Sequence, residues 1–267
     1  MIYRTDYHIH TNYSDGKGWP EDYIESAIES GLSEIGFSDH LTLTDEQQDW
    51  SIKLPMLGEY IDRVSKLKET VTDVKVRLGL EVDYFPDKEE EIYKTISSLP
   101  LDYVIGSVHY MDNGSVDLGP EYYEGKDIDR LFELYFKLIA QAASTGLFDF
   151  MAHLDLVRIF RYYPSVNAEP MYRFLAGELS KSDVAFEINT NGMNKPLRDF
   201  YPDRRYLHIF MEEGVPVCVN SDAHNPAGLG QYFDDAYRLI TLAGFKEMIT
   251  FENRKRTLKK ITGIQSG

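Results

Sequence analysis

The sequence predicts an α/β fold, namely a TIM-like barrel with seven clear strands. Two observations predict this fold: short, continuously apolar segments alternate with longer stretches of helical periodicity, and the alternation repeats along most of the 267 residues. Strands covered on both faces tend to be continuously apolar, and strand–helix alternation is typical of a parallel sheet with helices outside it. Because a chain of this length commonly forms one α/β barrel, we expect a single domain over residues 1–267.

Seven apolar segments are the predicted strands, and each is followed by a polar or helical stretch. In order they are YHIH (7–10), EIGFSDH (34–40), VRLGLEVDY (76–84), DYVIGSVHY (102–110), FDFMAHLDL (148–156), VAFEINTNG (184–192) and VPVCVNSDAH (215–224). Val, Ile and aromatic residues, which are frequent in these segments, pack well on a pleated surface. EMITF (247–251) is a possible eighth strand.

Six stretches between the strands predict helices, because their apolar residues recur at steps of three and four. They cover residues 20–31, 58–71, 127–146, 170–182, 203–214 and 232–244. The first begins with Pro20 and acidic residues, which suit the positive end of a helix dipole, and it ends at Gly31. The tail at 252–261, ENRKRTLKKI, is interpreted as a final helix.

Composition limits the partners of the protein. The formal net charge of −16 argues against an extended nucleic-acid surface, which needs clustered Lys and Arg, although bound cations would still allow a small phosphorylated ligand. A single cysteine, Cys218, permits no internal disulfide and fits a reducing compartment. The segment MIYRTDYHIH has no apolar region typical of a signal peptide, and no apolar run reaches membrane-spanning length. We therefore expect a cytoplasmic protein with neither nucleic acid nor membrane as partner; its oligomeric state is left open.

Histidines are concentrated at the C-terminal ends of the predicted strands. Six of the seven lie there: His8, His10, His40, His109, His153 and His224. In a barrel these ends converge on one face, where active sites form. One histidine near a strand end is commonly a structural hydrogen-bonding residue, but six at the same end of successive strands indicate a shared site. The seventh, His208, lies in a predicted helix outside the barrel.

The pattern predicts a metal centre, since imidazole and carboxylate groups are ligands of Zn, Mn and Fe. In H-x-H on a strand the two side chains point to the same face, so both can reach one ion. The nine candidate ligands are His8, His10, Asp15, His40, Glu81, His109, His153, Asp222 and His224. Asp15 also has a second interpretation, because S-D-G is a common sequence for a solvated turn. One ion takes about three or four protein ligands, so nine candidates predict two or three divalent ions with a bridging carboxylate.

The motifs HIHTNYSDG, SDH, GLEVDY, GSVHY, AHLDL, EINTNGMNKPLRDFYP and NSDAH run in order from Asp6 to His224. Together they resemble the histidinol-phosphate phosphatases of the PHP (polymerase and histidinol phosphatase) superfamily. The resemblance implies the PHP fold, a distorted (βα)7 barrel, and a site for three ions. The implied ligand sets are His8, His10, Glu81 and Asp222; Glu81, His109 and His153; and Asp15, His40 and His224. Asp15 departs from members that carry histidine there, and a carboxylate shifts metal preference toward Mn or Fe.

The resemblance also implies an activity, the hydrolysis of L-histidinol phosphate to L-histidinol and phosphate in histidine biosynthesis. Metal ions lower the pKa of bound water to about 7, so hydroxide is the expected nucleophile, with Glu81 and Asp222 as catalytic carboxylates. Neither a G-x-S-x-G nor a phosphate-binding glycine motif occurs in the sequence. Asp222 or a water is the candidate general acid.

Basic residues after the fifth and sixth strands are candidates for binding the phosphate, because guanidinium groups bind phosphoryl oxygens bidentately. They are Arg158, Arg161 and Arg198, with Lys195 as an alternative in the second loop. Glu187 and Asn189 could orient ligands or only satisfy the barrel mouth. Trp19 and the segment 110–125 could contact the rest of the substrate, and loops 41–57 and 110–126 could close over it. Cys218, among valines, is expected to be a buried apolar residue.

Three alternatives remain open from the sequence. A PHP phosphoesterase could act on nucleotides or on another small phosphate ester. A metal-dependent amidohydrolase on a similar barrel is less favoured, because no lysine stands at a strand end. A non-catalytic metal-binding or regulatory module would be expected to lack ligands, whereas every position of the matched pattern is filled.

Overall fold

The computed structural model describes residues 3–44, 48–112 and 114–262, and these form a nearly closed barrel of parallel strands with helices outside. The strands are β1 (Thr5–Asp6), β2 (Glu34–Phe37), β3 (His40–Leu41), β4 (Lys75–Asp83), β5 (Tyr103–Ser107), β6 (Tyr110–Met111), β7 (Gly114–Ser115), β8 (Phe150–Met151), β9 (Ala185–Asn189), β10 (Val217–Asn220), β11 (Glu247–Glu252) and β12 (Lys255–Lys260). The helices are α1 (Pro20–Glu29), α2 (Leu57–Thr70), α3 (Glu89–Ile96), α4 (Ile128–Ser144), α5 (Glu169–Ser182), α6 (Leu207–Glu212) and α7 (Phe233–Ala243).

The barrel strands follow the order β1-β2-β4-β5-β8-β9-β10, and every neighbouring pair is parallel. The ends of this sheet meet where the main chain of His10 donates to Ala223 (2.9 Å) and that of Ala223 donates to His8 (3.1 Å). The seven parallel strands are confirmed in number and order, but the first lies at Thr5–Asp6 and not at the predicted residues 7–10, where only Ile9 forms an isolated bridge, to Ala223. After a short break that follows β2, the chain forms β3. This strand pairs with β4 and sets His40 beside Glu81.

The six predicted helices are confirmed, and one helix was missed. α3 crosses from β4 to β5 with Ile92 and Ile96 buried on one face. Its sequence EEEIYKTI is short and mostly polar, so its apolar periodicity is weak. No helix in the described ranges is long and apolar enough to cross a membrane.

The tail corrects the sequence interpretation, because residues 255–260 form a strand and not a helix. β11 forms as predicted, but it pairs antiparallel with β12 outside the parallel barrel. Asn253 and Arg254 both adopt left-handed backbone angles (φ of 51° and 59°), as the tight turn of a two-residue hairpin requires. Lys and Arg are good helix formers, but tertiary pairing overrides that preference here.

The hairpin closes the lower, N-terminal end of the barrel with apolar side chains. Ile249 and Phe251 are two residues apart on β11, so they share one face, and both are buried with Tyr103, Phe150 and Cys218. Cys218 is fully buried, as expected for a small apolar residue. The lower end of the barrel is therefore packed, and the polar strand ends at the upper end are left to build a site.

Candidate metal centre

The upper ends of the strands bring the nine predicted ligands together. Residues that follow β1, β5, β8 and β10 join side chains from β3 and β4. They form four overlapping groups, and within each group the potential ligand atoms lie within 4.8 Å of one another. The groups are His10, Asp15, His40 and His224; His8, Glu81 and His153; His8, His10 and Asp222; and His40, Glu81 and His109.

Glu81 is at the centre of the cluster and belongs to two of these groups. Its Oε2 atom lies 2.8 Å from His40 Nδ1 and 3.1 Å from His8 Nε2, while its Oε1 atom lies 3.2 Å from His153 Nε2. The side chain is 1% exposed. A carboxylate whose two oxygens face different imidazoles has the arrangement needed to bridge two ions.

Asp15 faces imidazoles and does not project as an isolated turn residue. Its Oδ2 atom lies 3.2 Å from His224 Nε2, and its Oδ1 atom lies 3.7 Å from His40 Nε2. Asp39 holds the preceding loop in place by accepting hydrogen bonds from the main-chain amides of Thr11 (2.7 Å) and Ser14 (3.1 Å). Of the two sequence alternatives, this geometry favours a ligand over a solvated turn.

Two further carboxylates orient histidines of the cluster by contacting the Nδ1 atom of the ring. Glu187 contacts His8 Nδ1 at 3.0 Å and is itself held by the side-chain amides of Asn189 and Asn220, each at 2.8 Å. Asp83 Oδ1 lies 2.7 Å from Nδ1 of His109. Such contacts fix the tautomer of an imidazole and leave its other nitrogen for a cation. The structure therefore favours the orienting role for Glu187.

The charges of the cluster suit metal binding. Burial lowers the pKa of His10 to about 3, helped by the neighbouring His40 and His224, so its imidazole is neutral and can ligate. Burial alone would raise the pKa of Glu81, but His40 and His8 hold it well below its usual value. Burial would lower the pKa of His8 and His40, but neighbouring carboxylates raise it, so a divalent cation would displace protons from these imidazoles when it binds.

Several buried atoms of the cluster form no well-aligned hydrogen bond within the described residues, although some lie close to one another. They are His8 Nε2, both ring nitrogens of His10, His40 Nδ1, Glu81 Oε2 and His153 Nδ1. Buried polar atoms without partners are rare in folded proteins, and each needs a physical explanation. Most of these atoms belong to the groups above, and divalent ions would satisfy them, so the residues present fit divalent ions.

A cavity beside the cluster has an aromatic and acidic wall. Trp50 stacks on Tyr110 with ring centroids 6.2 Å apart and contacts the edge of His40 at 5.0 Å. Asp117 and Lys195 add one carboxylate and one ammonium group to the lining. The cavity thus offers groups of both charges around the metal ligands. Residues 45–47 and 113, in the two loops that could close over it, lie outside the described residues.

Arg158, a predicted phosphate contact, is buried and bonded to neighbouring loop residues. The side chain is 1% exposed, and its Nε atom donates to Asp155 Oδ2 at 2.7 Å. Its Nη2 atom donates to the Phe200 carbonyl at 2.8 Å. These bonds tie the guanidinium to the loops after β8 and β9, and Arg158 also lines a second cavity together with Arg204 and Arg205.

Of the other residues predicted to contact the substrate, some line the cavity and others do not. Arg161 and Arg198 are exposed on loops beside the cavity but are not among its lining residues, whereas Lys195 is. Trp19 is also away from the cavity, because it packs against Tyr13 and the Arg63 guanidinium. The sequence missed Trp50, which is far from any strand end. It also missed Asp83, although the position two residues after Glu81, on the same face of β4, was a usable signal.

The barrel and the clustered imidazoles and carboxylates at its upper end define a class of protein, the α/β barrels with a candidate site for several divalent ions. Comparison with known proteins specifies the family. The model of the PHP domain family matches residues 6–191, and the chain belongs to this family.

Two relatives match the chain over nearly its whole length. The first, from Deinococcus radiodurans, is described as a probable histidinol-phosphatase and is 35% identical over 94% of this chain and 97% of its own. The second, a histidinol-phosphatase from Lactococcus lactis, is 28% identical over 94% of this chain and 96% of its own.

A solved structure shares the fold. It is the crystal structure of histidinol phosphate phosphatase from Lactococcus lactis, complexed with zinc, L-histidinol and phosphate. The TM-score is 0.82 at 27% sequence identity, and the match covers 96% of this chain and 100% of that one.

Proposed function

We propose that this protein is a metal-dependent phosphatase that hydrolyses L-histidinol phosphate to L-histidinol and phosphate, a step of histidine biosynthesis. The observation that carries the proposal is the convergence of nine potential ligands in four overlapping groups beside one cavity. The relatives named histidinol-phosphatase, and the zinc, L-histidinol and phosphate in the Lactococcus lactis structure, support the same substrate.

We further propose that the cluster holds two or three divalent ions, with Zn, Mn and Fe as candidates. The nine residues of the four groups would be their ligands, and Glu81 would bridge two of the ions. Such ions supply a hydroxide nucleophile near neutral pH and positive charge for the phosphoryl oxygens. Burial would raise the pKa of Asp222, but His8 and His10 hold it well below normal, so its carboxylate is ionised as a ligand must be.

The cavity wall suits the rest of this substrate. Histidinol phosphate carries an imidazole and an ammonium group, and the stacked rings of Trp50 and Tyr110 offer an aromatic surface for the first. Asp117 offers a carboxylate for the second, and Lys195 offers an ammonium for the phosphate. Arg158, Arg161 and Arg198 remain predicted phosphate contacts from the loops after the fifth and sixth barrel strands.

The function is tested by supplying metals and substrates separately. Protein stripped with a chelator should be inactive, and adding Zn²⁺, Mn²⁺ or Fe²⁺ should restore the hydrolysis of histidinol phosphate. Steady-state kinetics should give a kcat/KM for histidinol phosphate at least about 100-fold above that for nucleoside monophosphates, since a site that pairs polar groups discriminates strongly. A preference for nucleotides would contradict the substrate, and absence of metal-dependent turnover would favour a non-catalytic module.

Asp117→Asn should weaken the recognition of histidinol phosphate but not of p-nitrophenyl phosphate, which has no ammonium group. We expect KM for histidinol phosphate to rise about tenfold or more, because a charge-assisted hydrogen bond is lost. The matched control is Asp112→Asn, an exposed carboxylate on the same segment that pairs with Lys126 at 3.7 Å. Equal losses on both substrates would contradict this role for Asp117.

Two expectations from the sequence accompany the proposal. A cytoplasmic location and a single domain over residues 1–267 both stay predictions. Size-exclusion chromatography with light scattering would establish the oligomeric state, which the sequence left open.

A further inference from the structure

Tyr201 lies on the wall of the cavity, beside the candidate ligands but outside the predicted set. The loop after β9 brings it there, and its main chain is bonded in both directions to that of Asn189, at 2.8 and 3.1 Å. Its ring meets the His153 ring edge-on, with centroids 6.3 Å apart and planes at 73°. The phenol is therefore held next to a metal ligand by the backbone itself.

The ring is held from two other sides. A Cβ atom on Gly192 would lie 2.9 Å from Tyr201 Cε2, so glycine is needed for the ring to pack where it does. The Arg158 guanidinium carbon lies 5.9 Å from the ring centroid. Since Asp155 fixes that guanidinium, the ring has a rigid base. A group held in this way keeps one orientation toward the cavity.

The hydroxyl of Tyr201 is unusual because it is buried and unbonded within the described residues. The residue is 2% exposed, and its Oη atom has no hydrogen-bond partner among the residues that the structure describes. Other buried tyrosines of the barrel do have partners. Tyr23, Tyr103, Tyr123 and Tyr135 donate to carbonyl oxygens at 2.7–3.1 Å. A buried hydroxyl without a partner is costly, and such groups need an explanation.

We propose that the Tyr201 hydroxyl donates a hydrogen bond to a non-bridging oxygen of the substrate's phosphoryl group, and is thus a catalytic residue. The inference rests on the proposed phosphatase function. A phosphoryl group in transfer spreads negative charge over three equatorial oxygens, and fixed donors in a cavity with little water stabilise that charge. Tyr201 suits this role as a neutral donor, because burial raises the pKa of its phenol well above the usual value.

Tyr201→Phe tests the proposal by removing only the hydroxyl. Calorimetric titration of the metal-loaded protein with inorganic phosphate should give a Kd about tenfold higher than in the parent. The kcat/KM should fall about 100-fold for both histidinol phosphate and p-nitrophenyl phosphate, because both have the same non-bridging oxygens. Metal content and the Tm of the metal-free protein should match the parent, since no protein hydrogen bond is lost.

The matched control is Tyr237→Phe. Tyr237 is also fully buried, but its hydroxyl lies 3.4 Å from the sulfur of Met248 on the hairpin at the lower end of the barrel. This variant should keep the phosphate Kd and kcat/KM within about twofold of the parent, because substitutions away from a site rarely change it. It shows what the loss of any buried phenol hydroxyl does to the fold.

Three results would overturn the role of Tyr201. In the first, phosphate affinity and kcat/KM stay within about twofold of the parent, below the effect of one lost donor. In the second, Tyr201→Phe loses bound metal, which indicates that the hydroxyl supports the metal ligands and does not act on the phosphoryl group. In the third, the loss is confined to histidinol phosphate, which places the hydrogen bond on the leaving group. The phosphate titration needs no particular ester, so a wrong substrate assignment would not be confused with a wrong role for Tyr201.

Discussion

Replacing Glu81 with glutamine is expected to lower kcat/KM by at least about a thousandfold, because the ions together supply several kcal/mol of transition-state stabilisation. Glu81 belongs to two of the four ligand groups, so the variant should bind fewer ions than any variant at a residue of a single group. Elemental analysis of the purified protein, together with steady-state kinetics, measures both effects.

The control for Glu81→Gln is Glu252→Gln. Glu252 is an exposed carboxylate at the lower end of the barrel, where it pairs with Arg77 at 2.7 Å. We expect that variant to keep the parent's metal content and activity. If Glu81→Gln retained both its full metal content and activity within about tenfold of the parent, the central bridging role would be wrong.

His153→Ala should also remove nearly all activity while the fold persists. His153 belongs to one ligand group, which it shares with His8 and Glu81, so the variant should lose part of the bound metal and keep the remainder. Its measurement is the metal-to-protein ratio beside kcat/KM, with circular dichroism to confirm the fold.

The matched control for this variant is His208→Ala. His208 is an exposed residue of α6, as the sequence predicted for the one histidine outside the strand ends. It should leave metal content and kinetics unchanged. Activity of His153→Ala within about fivefold of the parent would mean that His153 is not a ligand, because the loss of a ligated ion costs far more.

The convergence of the candidate ligands could be predicted from the sequence because two simple rules apply to them. Parallel strands deliver their C-terminal residues to one face, and alternate residues on a strand share a side. His8, His10 and Glu81 obey these rules directly, and their meeting in space needs no knowledge of side-chain conformations. Asp15 is on a loop, and only the contacts of Asp39 with that loop explain where it points.

What the sequence did not reveal depends on side-chain pairing and on tertiary burial. Arg158 stays a predicted phosphate contact, but the structure pairs its guanidinium with Asp155, three residues earlier. Trp50 reaches the cavity from a loop whose path follows no periodic pattern. The basic tail suited an exposed helix, yet burial of Ile249 and Phe251 favours the hairpin, and that burial depends on the finished barrel.

The apolar side chains that β11 places in the lower end of the barrel also affect how substrate and products reach and leave the site. Ile249 and Phe251 are buried in one cluster with Tyr103 and Phe150, so among the described residues the lower end of the barrel is filled by packed side chains. We therefore expect one route, through the upper end of the barrel, for the substrate, water, the metal ions and both products. The alcohol and the phosphate must leave past the same side chains that admitted the ester, so the order of their departure bears directly on turnover.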